Sequence, residues 1–343
     1  MSSTATRAAV DAATITEAFR LTAAAHPDQP AFRTKNDEVC LTWAQARERV
    51  DALAGGLAAL GLERGQTIAL LLSNRPEFHV ADLAAITVGA TPFSIYNTYS
   101  PEQIQYVVAD AEARIAVTEQ ALLGDLLEAR KDLPGLEHVI VVDGEAPESC
   151  VSLAEVEGSN PSWDAEAAAE AVEPDDILTL IYTSGTTGPP KGVQLSHRNQ
   201  ISGVASIQEL IRLEPGARVI SWLPAAHIAE RSAHHYLPIV FAGTVTCCDD
   251  PRQIASFLPE VRPNWFFAVP ASGRRSSRAS SRCSPSSPRS SASPCSARST
   301  PPTTSSDGSS VGRRCPRSSP RPCRRPTRRS SPTCARCSGS TRW

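Results

Sequence analysis

Short apolar runs alternate with segments of helical periodicity along the first 270 residues of the chain. Residues 66–73 (QTIALLLS) form a nearly continuous apolar run, which is typical of a strand buried on both faces. Residues 76–88 follow with apolar side chains at helical spacing, and this pattern predicts a helix. Similar apolar runs predict strands at residues 91–97, 114–119, 138–143, 176–182, 217–223, 244–248 and 264–269. Because strands that alternate with helices pair in parallel, the pattern predicts an α/β protein with layered sheets flanked by helices.

Local signals define three further elements. Residues 100–103 (SPEQ) combine an N-cap serine, a proline in the first turn and a capping-box glutamine, which predicts a helix that begins there. Residues 31–43 (AFRTKNDEVCLTW) predict a hairpin that turns at Asn36 and Asp37. A long helix rich in Ala and Leu is predicted to follow, with Thr42 as its N-cap.

Charge and composition divide the chain at residue 270. Residues 1–270 carry 18 Lys and Arg against 35 Asp and Glu, a net charge of −17, whereas residues 271–343 carry 16 Arg and one acid, a net charge of +15. The second segment contains 23 Ser, 10 Pro and 6 of the 10 Cys but no Leu, Ile, Phe, Tyr or Met. Such a segment cannot bury enough apolar area to offset the entropy of the chain, so residues 271–343 are predicted to be a disordered tail.

Cysteines are few before residue 270, and they predict a reducing compartment. Cys40, Cys150, Cys247 and Cys248 show no metal-ligand spacing. The first residues lack the basic and apolar regions of a signal peptide, and no run of about 18 apolar residues could span a bilayer. These features predict a soluble, cytoplasmic protein.

The segment IYTSGTTGPPKG, residues 181–192, is the strongest functional signal in the chain. It follows a predicted strand and precedes a predicted helix, and α/β sheets bind ligands at the carboxyl ends of parallel strands. Gly185, Gly188 and Gly192 are predicted to adopt positive φ and let the backbone approach phosphate oxygens, while hydroxyls and Lys191 supply donors and charge. A Walker A loop differs, because it has glycine before the lysine and Ser or Thr after it. The pattern therefore predicts a polyphosphate-binding loop of another kind.

The stretch YTSGTTGPPKGV, residues 182–193, resembles the signature loop of the adenylate-forming (AMP-binding) superfamily, which includes acyl-CoA synthetases, luciferases and peptide-synthetase adenylation domains. Four more stretches are similar to the long-chain fatty acyl-CoA synthetase branch: LLLSNRPEF, SIYNTYSPEQIQYVVADAEARIAVTE, SWLPAAHIAERSAHHYLPI and VRPNWFFAVP. This resemblance covers roughly residues 14–270 and is expected to end at Pro270. It implies that residues 1–270 are part of the large N-terminal domain of such an enzyme.

The resemblance implies a two-step ligase reaction. A fatty carboxylate attacks the α-phosphorus of ATP to give acyl-AMP and pyrophosphate, and the thiol of coenzyme A then displaces AMP. By their positions in the motif, the residues implied to bind ATP are Thr183, Ser184, Gly185, Thr186, Thr187, Gly188 and Lys191. Lys191 and His227 are the implied catalytic residues, and Thr183 would contact Mg²⁺ through its hydroxyl. The implied ligands are ATP, Mg²⁺, coenzyme A and a fatty acid.

Several charged residues downstream of the loop have structural alternatives. His227 matches the family histidine that lies close to the acyl and adenylate site, and the alternative is that it caps the start of a helix. His234 and His235 lie in a predicted helix without a partner pattern and are expected to be structural. Arg231 is expected to form an ion pair with Glu230.

The resemblance also implies parts that residues 271–343 do not contain: an acid that completes the Mg²⁺ site, an Asp for the ribose hydroxyls, a hinge and a mobile C-terminal domain with its adenylation lysine. The N-terminal domain is therefore expected to be incomplete and the C-terminal adenylation and thioesterification domain absent. Relatives commonly continue Val-Pro with Arg-Val-Trp-Glu-Lys. Loss of the first base from GC-rich codons for these residues gives Ala-Ser-Gly-Arg-Arg, the sequence of residues 271–275. Residues 271–343 are thus predicted to be out-of-frame translation.

The sequence leaves three functions open. The resemblance implies a long-chain fatty acid–CoA ligase, but the missing parts make a truncated, catalytically inactive fragment the expected state of this chain. The third function is nucleic-acid binding by the arginines of the tail. That tail has no regular Arg repeat and no Lys, so no specific nucleic-acid partner is expected. Membrane association would be peripheral, through the fatty acid, and the sequence determines neither acyl-chain length nor oligomeric state.

Overall fold

A computed structural model of the protein describes residues 9–183, 188–210 and 213–268, with the side chains of 208–210 excepted. The predicted tail at 271–343 lies outside the described residues. The strands, in chain order, are β1 (Pro30–Arg33), β2 (Cys40–Thr42), β3 (Thr67–Leu71), β4 (Thr91–Ser94), β5 (Ile115–Thr118), β6 (His138–Val141), β7 (Val151–Ser152), β8 (Ile177–Thr183), β9 (Lys191–Ser196), β10 (Arg218–Ser221) and β11 (Thr244–Cys247).

The strands form two sheets. One sheet has seven strands in the order β7-β6-β5-β3-β4-β8-β9, and the other has four in the order β10-β11-β1-β2. Pairing in the larger sheet is parallel up to β8, and β9 then runs antiparallel to β8. In the smaller sheet β1 and β2 form an antiparallel hairpin, while β11 pairs in parallel with both β1 and β10.

Helices connect and cover the strands. In chain order they are α1 (Ile15–Ala25), α2 (Trp43–Ala59), α3 (Pro76–Val88), α4 (Pro101–Asp110), α5 (Leu123–Arg130), α6 (Leu153–Gly158), α7 (Ala165–Glu170), α8 (His197–Leu210), α9 (Ile228–Glu230), α10 (Leu237–Val240) and α11 (Ile254–Val261). Residues Arg231–Tyr236, between α9 and α10, form a π-helical turn. In the parts of the chain that the structure describes, no helix is long and apolar enough to cross a membrane.

Local chemistry explains several of these boundaries. Thr42 caps α2 by accepting a hydrogen bond from the N–H of Gln45, whose side chain accepts one from Thr42 in return. Helix α3 begins with Pro76 and ends at Val88, and Gly89 caps it with a φ of 84°, a left-handed conformation that glycine adopts without strain. Both helices therefore begin where the sequence signals predict.

The core is divided by the seven-stranded sheet. In β3, Ile68 and Leu70 face the cluster that contains α1, α2 and α3, whereas Ala69 and Leu71 face the cluster that contains α4 and α5. Helix α3 contacts β1 of the smaller sheet as well as β3 and β4 of the larger one, so it lies between the sheets. A strand covered on both faces needs apolar residues at every position, which accounts for the continuous run at 66–73.

The predicted α/β class with layered sheets is confirmed, and so is the hairpin, in which Asn36 and Asp37 have φ of 61° and 56°. The strand predicted at 264–269 is wrong for residues 264–268, which are not in a strand. Asn264 accepts the N–H of Arg218 with its side-chain oxygen, at 2.9 Å, and so replaces the backbone carbonyl that a strand ladder would use. The sequence also missed β7 and β9, both at the edges of the larger sheet.

Candidate functional site

The Thr/Gly-rich loop joins two antiparallel strands at the carboxyl end of β8. Thr183 is the last residue of β8 and Lys191 the first residue of β9, and the two are paired in register. Both are exposed. Residues 184–187, which hold the predicted ligands Ser184, Gly185, Thr186 and Thr187, lie outside the described residues. The structure thus places a hydroxyl and an ammonium group side by side at the base of the loop.

Helix α4 anchors both ends of this loop. The Tyr182 hydroxyl hydrogen-bonds Asp110 Oδ2 at 2.8 Å, and the Tyr106 hydroxyl donates to the carbonyl oxygen of Pro190 at 3.0 Å. Burial, together with the Asp110 carboxyl, raises the pKa of Tyr182, so its hydroxyl stays a neutral donor. The base of the loop is therefore held to a packed helix.

The glycines of the loop have different roles. Gly188 has a φ of 151°, which supports the predicted use of positive φ. The prediction is wrong for Gly192, which lies inside β9 and has no positive φ. A Cβ at that position would lie 3.3 Å from the Tyr182 ring, so close packing explains this glycine.

Lys191 differs from the other two lysines of the chain. Lys35 lies 3.8 Å from Glu260, and Lys131 lies 2.5 Å from Glu128. No acidic side chain of the described residues forms an ion pair with Lys191. Its ammonium group is therefore available to an anion.

The structure shows His227 as the N-cap of α9. Its Nδ1 accepts the backbone N–H of Ala229 at 3.1 Å, which confirms the capping alternative. In the neutral ring the proton must then lie on Nε2, and the side chain is exposed. Capping therefore leaves the Nε2–H exposed as a hydrogen-bond donor.

The expected pair between Arg231 and Glu230 is wrong. Arg231 instead pairs with the carboxylate of Asp82 and donates to Ser94 Oγ at 2.8 Å. Both members of the buried pair are fully buried, and Asp82 also binds His235 Nε2 at 2.8 Å. Ser94 ends β4, the strand next to β8, so Arg231 ties the π-helical turn to the larger sheet.

His234 and His235 are buried with acidic partners, which fits the structural role expected for them. His234 Nδ1 lies 2.7 Å from Glu230 Oε2. His235 Nδ1 lies 2.8 Å from His79 Nδ1, so one of these two nitrogens carries the shared hydrogen. Burial lowers the pKa of both His79 and His235, which keeps this contact neutral at pH 7.

The carboxyl ends of β3 and β11 border a separate cleft of about 460 Å³. Its arginine, Arg75, donates to Glu77 at 2.8 Å, to Glu119 at 3.0 Å and to Asp143 at 2.7 Å. Three carboxylates neutralise its charge, so the cleft fits a phosphate less well than the base of the loop does.

A magnesium site is only partly represented. In the described ranges no three His, Cys, Asp or Glu side chains come together as metal ligands. The Thr183 hydroxyl is exposed beside Lys191, a position that fits an oxygen ligand to a phosphate-bound Mg²⁺. One hydroxyl is too few ligands to hold Mg²⁺ by itself. These residues therefore fit a cation whose other oxygen ligands come from a bound polyphosphate.

A family model described as AMP-binding enzyme matches residues 19–305 of the chain. The matched range contains the loop at 181–192 and His227. It also extends past Pro270 into the predicted tail.

Two curated relatives show how much of a longer protein the chain matches. The long-chain-fatty-acid–CoA ligase ACSBG2 of Xenopus laevis is 32% identical over 273 residues, which are 75% of this chain and 37% of that protein. The long-chain-fatty-acid–CoA ligase FadD15 of Mycobacterium bovis is 34% identical over 250 residues, 71% of this chain and 41% of that protein. The chain spans about two fifths of the length of these relatives.

A solved structure shares the fold. The inhibitor-bound N-terminal domain of FACL13 from Mycobacterium tuberculosis superposes with a TM-score of 0.65 at 24% identity, covering 77% of this chain and 64% of that one. The predicted relation to an N-terminal ligase domain is therefore confirmed at the level of fold.

Proposed function

Because this chain belongs to the family of AMP-binding enzymes, we propose that it carries the ATP-binding part of a long-chain fatty acid–CoA ligase. That ligase would join a fatty acid to AMP with release of pyrophosphate, and then transfer the acyl group to coenzyme A. The names of the two relatives support the substrate class.

The in-register pair Thr183 and Lys191 is the observation that carries this proposal. Parallel α/β sheets bind ligands at the carboxyl ends of their strands, and β8 ends at this pair. The ATP-binding set would be Thr183, Ser184, Gly185, Thr186, Thr187, Gly188 and Lys191, of which 184–187 are assigned by motif position alone.

Each residue has a defined chemical task. Lys191 would neutralise charge on the β- and γ-phosphates, and a charged donor is worth about twice a neutral one. The Thr183 hydroxyl would bind the phosphate-bound Mg²⁺, which supplies further charge neutralisation when it is present. His227, with its proton on Nε2, would donate a hydrogen bond to the acyl carboxylate or the adenylate phosphate.

Lysine labelling gives a sharp test, because the chain has only Lys35, Lys131 and Lys191. Acetic anhydride is applied with and without MgATP, and acetylation is quantified at each lysine by mass spectrometry. MgATP should protect Lys191 and leave the two ion-paired lysines unchanged. Equal protection at all three, or none, contradicts the assignment.

The Lys191→Ala variant should bind MgATP about tenfold more weakly in calorimetry, close to the loss of one charged hydrogen bond. Lys131→Ala is the matched control, because its exposed ion pair contributes little. Equal affinities of the two variants would remove Lys191 from the site.

We further propose that residues 271–343 are translated out of frame. The reversal from −17 to +15 in net charge at residue 270 supports the change of frame. An intact reading frame in the gene around codon 270 would refute this proposal.

The proposed compartment is the cytoplasm, with membrane contact only through the fatty acid. Four free cysteines in the described residues, Cys40, Cys150, Cys247 and Cys248, suit a reducing environment. Fractionation of cells that express the chain tests this, and recovery from an exported fraction would contradict it.

A further inference from the structure

The carboxylate of Glu230 is buried in a ring of donors. The residue is 2% exposed. Oε1 accepts from Asn74 Nδ2 at 3.1 Å, and Oε2 accepts from the backbone N–H of Leu223 at 3.0 Å. Oε2 also lies 2.7 Å from His234 Nδ1. A carboxylate has only acceptor atoms, so it matches this set of neighbours.

Asn74 extends the network to the end of the larger sheet's strand β3. Its amide nitrogen also lies 2.8 Å from Ser221 Oγ and 2.9 Å from the carbonyl oxygen of Leu223. Because a carbonyl can only accept, the amide orientation of Asn74 is determined and its two hydrogens are shared among three acceptors. Residue 74 thus ties the end of β3 to the end of β10.

These bonds close the segment 221–230, which carries His227, into one unit. Inside it, the N–H of His227 donates to the Pro224 carbonyl at 2.9 Å, and the N–H of Glu230 donates to the His227 carbonyl at 3.0 Å. The Ala229 N–H donates to His227 Nδ1 at 3.1 Å. The backbone position of His227 is therefore fixed by this loop. Glu230, at the end of the loop, binds Leu223 directly and is linked to Ser221 through Asn74.

We propose that Glu230, held by Asn74, is a positioning residue that fixes the orientation of His227 at the adenylate site. The role of His227 at that site rests on the proposed function, whereas its fixation by Glu230 does not. Glu230 touches no reacting group itself and acts through the closed 221–230 loop.

The Glu230→Gln substitution tests the proposal with little change of volume. Gln has one acceptor oxygen and one donor nitrogen. In one orientation the Gln nitrogen faces the N–H of Leu223, and in the other it faces the amide nitrogen of Asn74. In either orientation two hydrogen-bond donors face each other, and one hydrogen bond is lost. A second variant, Asn74→Ala, removes the same link from the side of β3.

Hydrogen exchange of the full chain, without nucleotide, measures the loop directly. The Ala229 amide reports on the His227 ring, and the Leu223 amide reports on the carboxylate. In Glu230→Gln and in Asn74→Ala, both amides should exchange about tenfold faster relative to a reference amide in β5. In the His227→Ala variant the Ala229 amide has already lost its acceptor, so adding Glu230→Gln should not increase its exchange rate further.

The matched control is Asp82→Asn, which alters a fully buried carboxylate that binds Arg231 and His235. In the described part of the chain, Asp82 makes no hydrogen bond to segment 221–230. The control should leave the relative exchange of the Ala229 and Leu223 amides unchanged even if it lowers overall stability.

Two outcomes would overturn the proposal: unchanged protection of these amides in both test variants, or an equal loss in Asp82→Asn. If Glu230→Gln does not fold, Asn74→Ala decides alone. A failure of MgATP to protect Lys191 would refute the proposed function and leave this measurement intact, so the two failures are distinguishable.

Discussion

His197 should make the chain sensitive to mild acid. It begins α8, and its Nδ1 accepts the backbone N–H of Ile15 at 3.1 Å, which ties α8 to the start of α1. Burial lowers the pKa of this imidazole from 6.5 to about 4. The pKa of His197 in the folded chain is below that in the unfolded chain. As pH falls below 6.5, the unfolded chain therefore binds a proton at His197 before the folded chain does.

The stability contributed by neutral His197 is therefore fully present above pH 6.5 and is lost as pH falls towards 4. Proton linkage for this single group, with its unfolded and folded pKa values, gives a loss of about 2 kcal/mol between pH 7 and pH 5. His79 and His235 have lowered pKa values for the same reason and add to the total.

The His197→Asn variant isolates the effect, because Asn Oδ1 can accept the Ile15 N–H but does not titrate. Urea unfolding followed by circular dichroism at pH 7 and pH 5 gives four free energies of unfolding. The parent chain should lose about 2 kcal/mol more than the variant between these pH values, since the other histidines are common to both. An equal loss in the two proteins would refute the reasoning.

Four other substitutions have defined outcomes. Tyr106→Phe removes the hydroxyl bound to the Pro190 carbonyl and should weaken MgATP binding several-fold, about 1 kcal/mol by calorimetry, while the melting temperature falls by no more than a few degrees. Gly56→Ala should lower the free energy of unfolding by about 3 kcal/mol or more, because the new Cβ would lie 2.0 Å from a backbone oxygen of α6. Gly203→Ala is its matched control: this glycine lies within α8 with open space around it, so the substitution should raise the free energy of unfolding by up to about 1 kcal/mol. Arg231→Met leaves a fully buried carboxylate without its cation and should cost about 3–5 kcal/mol in urea unfolding.

Most of the fold follows from local patterns. Helix α3 could be predicted at its observed bounds, because proline begins it and glycine follows its last residue. Strand β9 could not, because it is an edge strand in which Lys191, Val193 and Gln194 are exposed and no apolar run develops. Its identity as a strand depends on the register with β8, which single-segment periodicity does not encode.

The candidate site divides in the same way. The loop and His227 carry short-range motifs and could be predicted, although the strand pairing that brings Thr183 next to Lys191 could not. The partner of Arg231 was misassigned because sequence proximity favoured Glu230, whereas the structure pairs it with a residue 149 positions away. Contacts of that length have no local signal, and the acid at position 230 is already occupied by its own ring of donors.

The pairing of β1 with β11 has a consequence for synthesis on the ribosome. Phe32 lies opposite Val245 in register, and the Thr22 hydroxyl donates to the Ile239 carbonyl at 2.7 Å. At about 5–20 residues per second, the roughly 200 residues between β1 and β11 take about 10–40 s to translate. During that time the apolar side chains of β1 lack the neighbours that β11 supplies. We therefore expect production of the folded chain to depend on chaperones that bind emerging polypeptides.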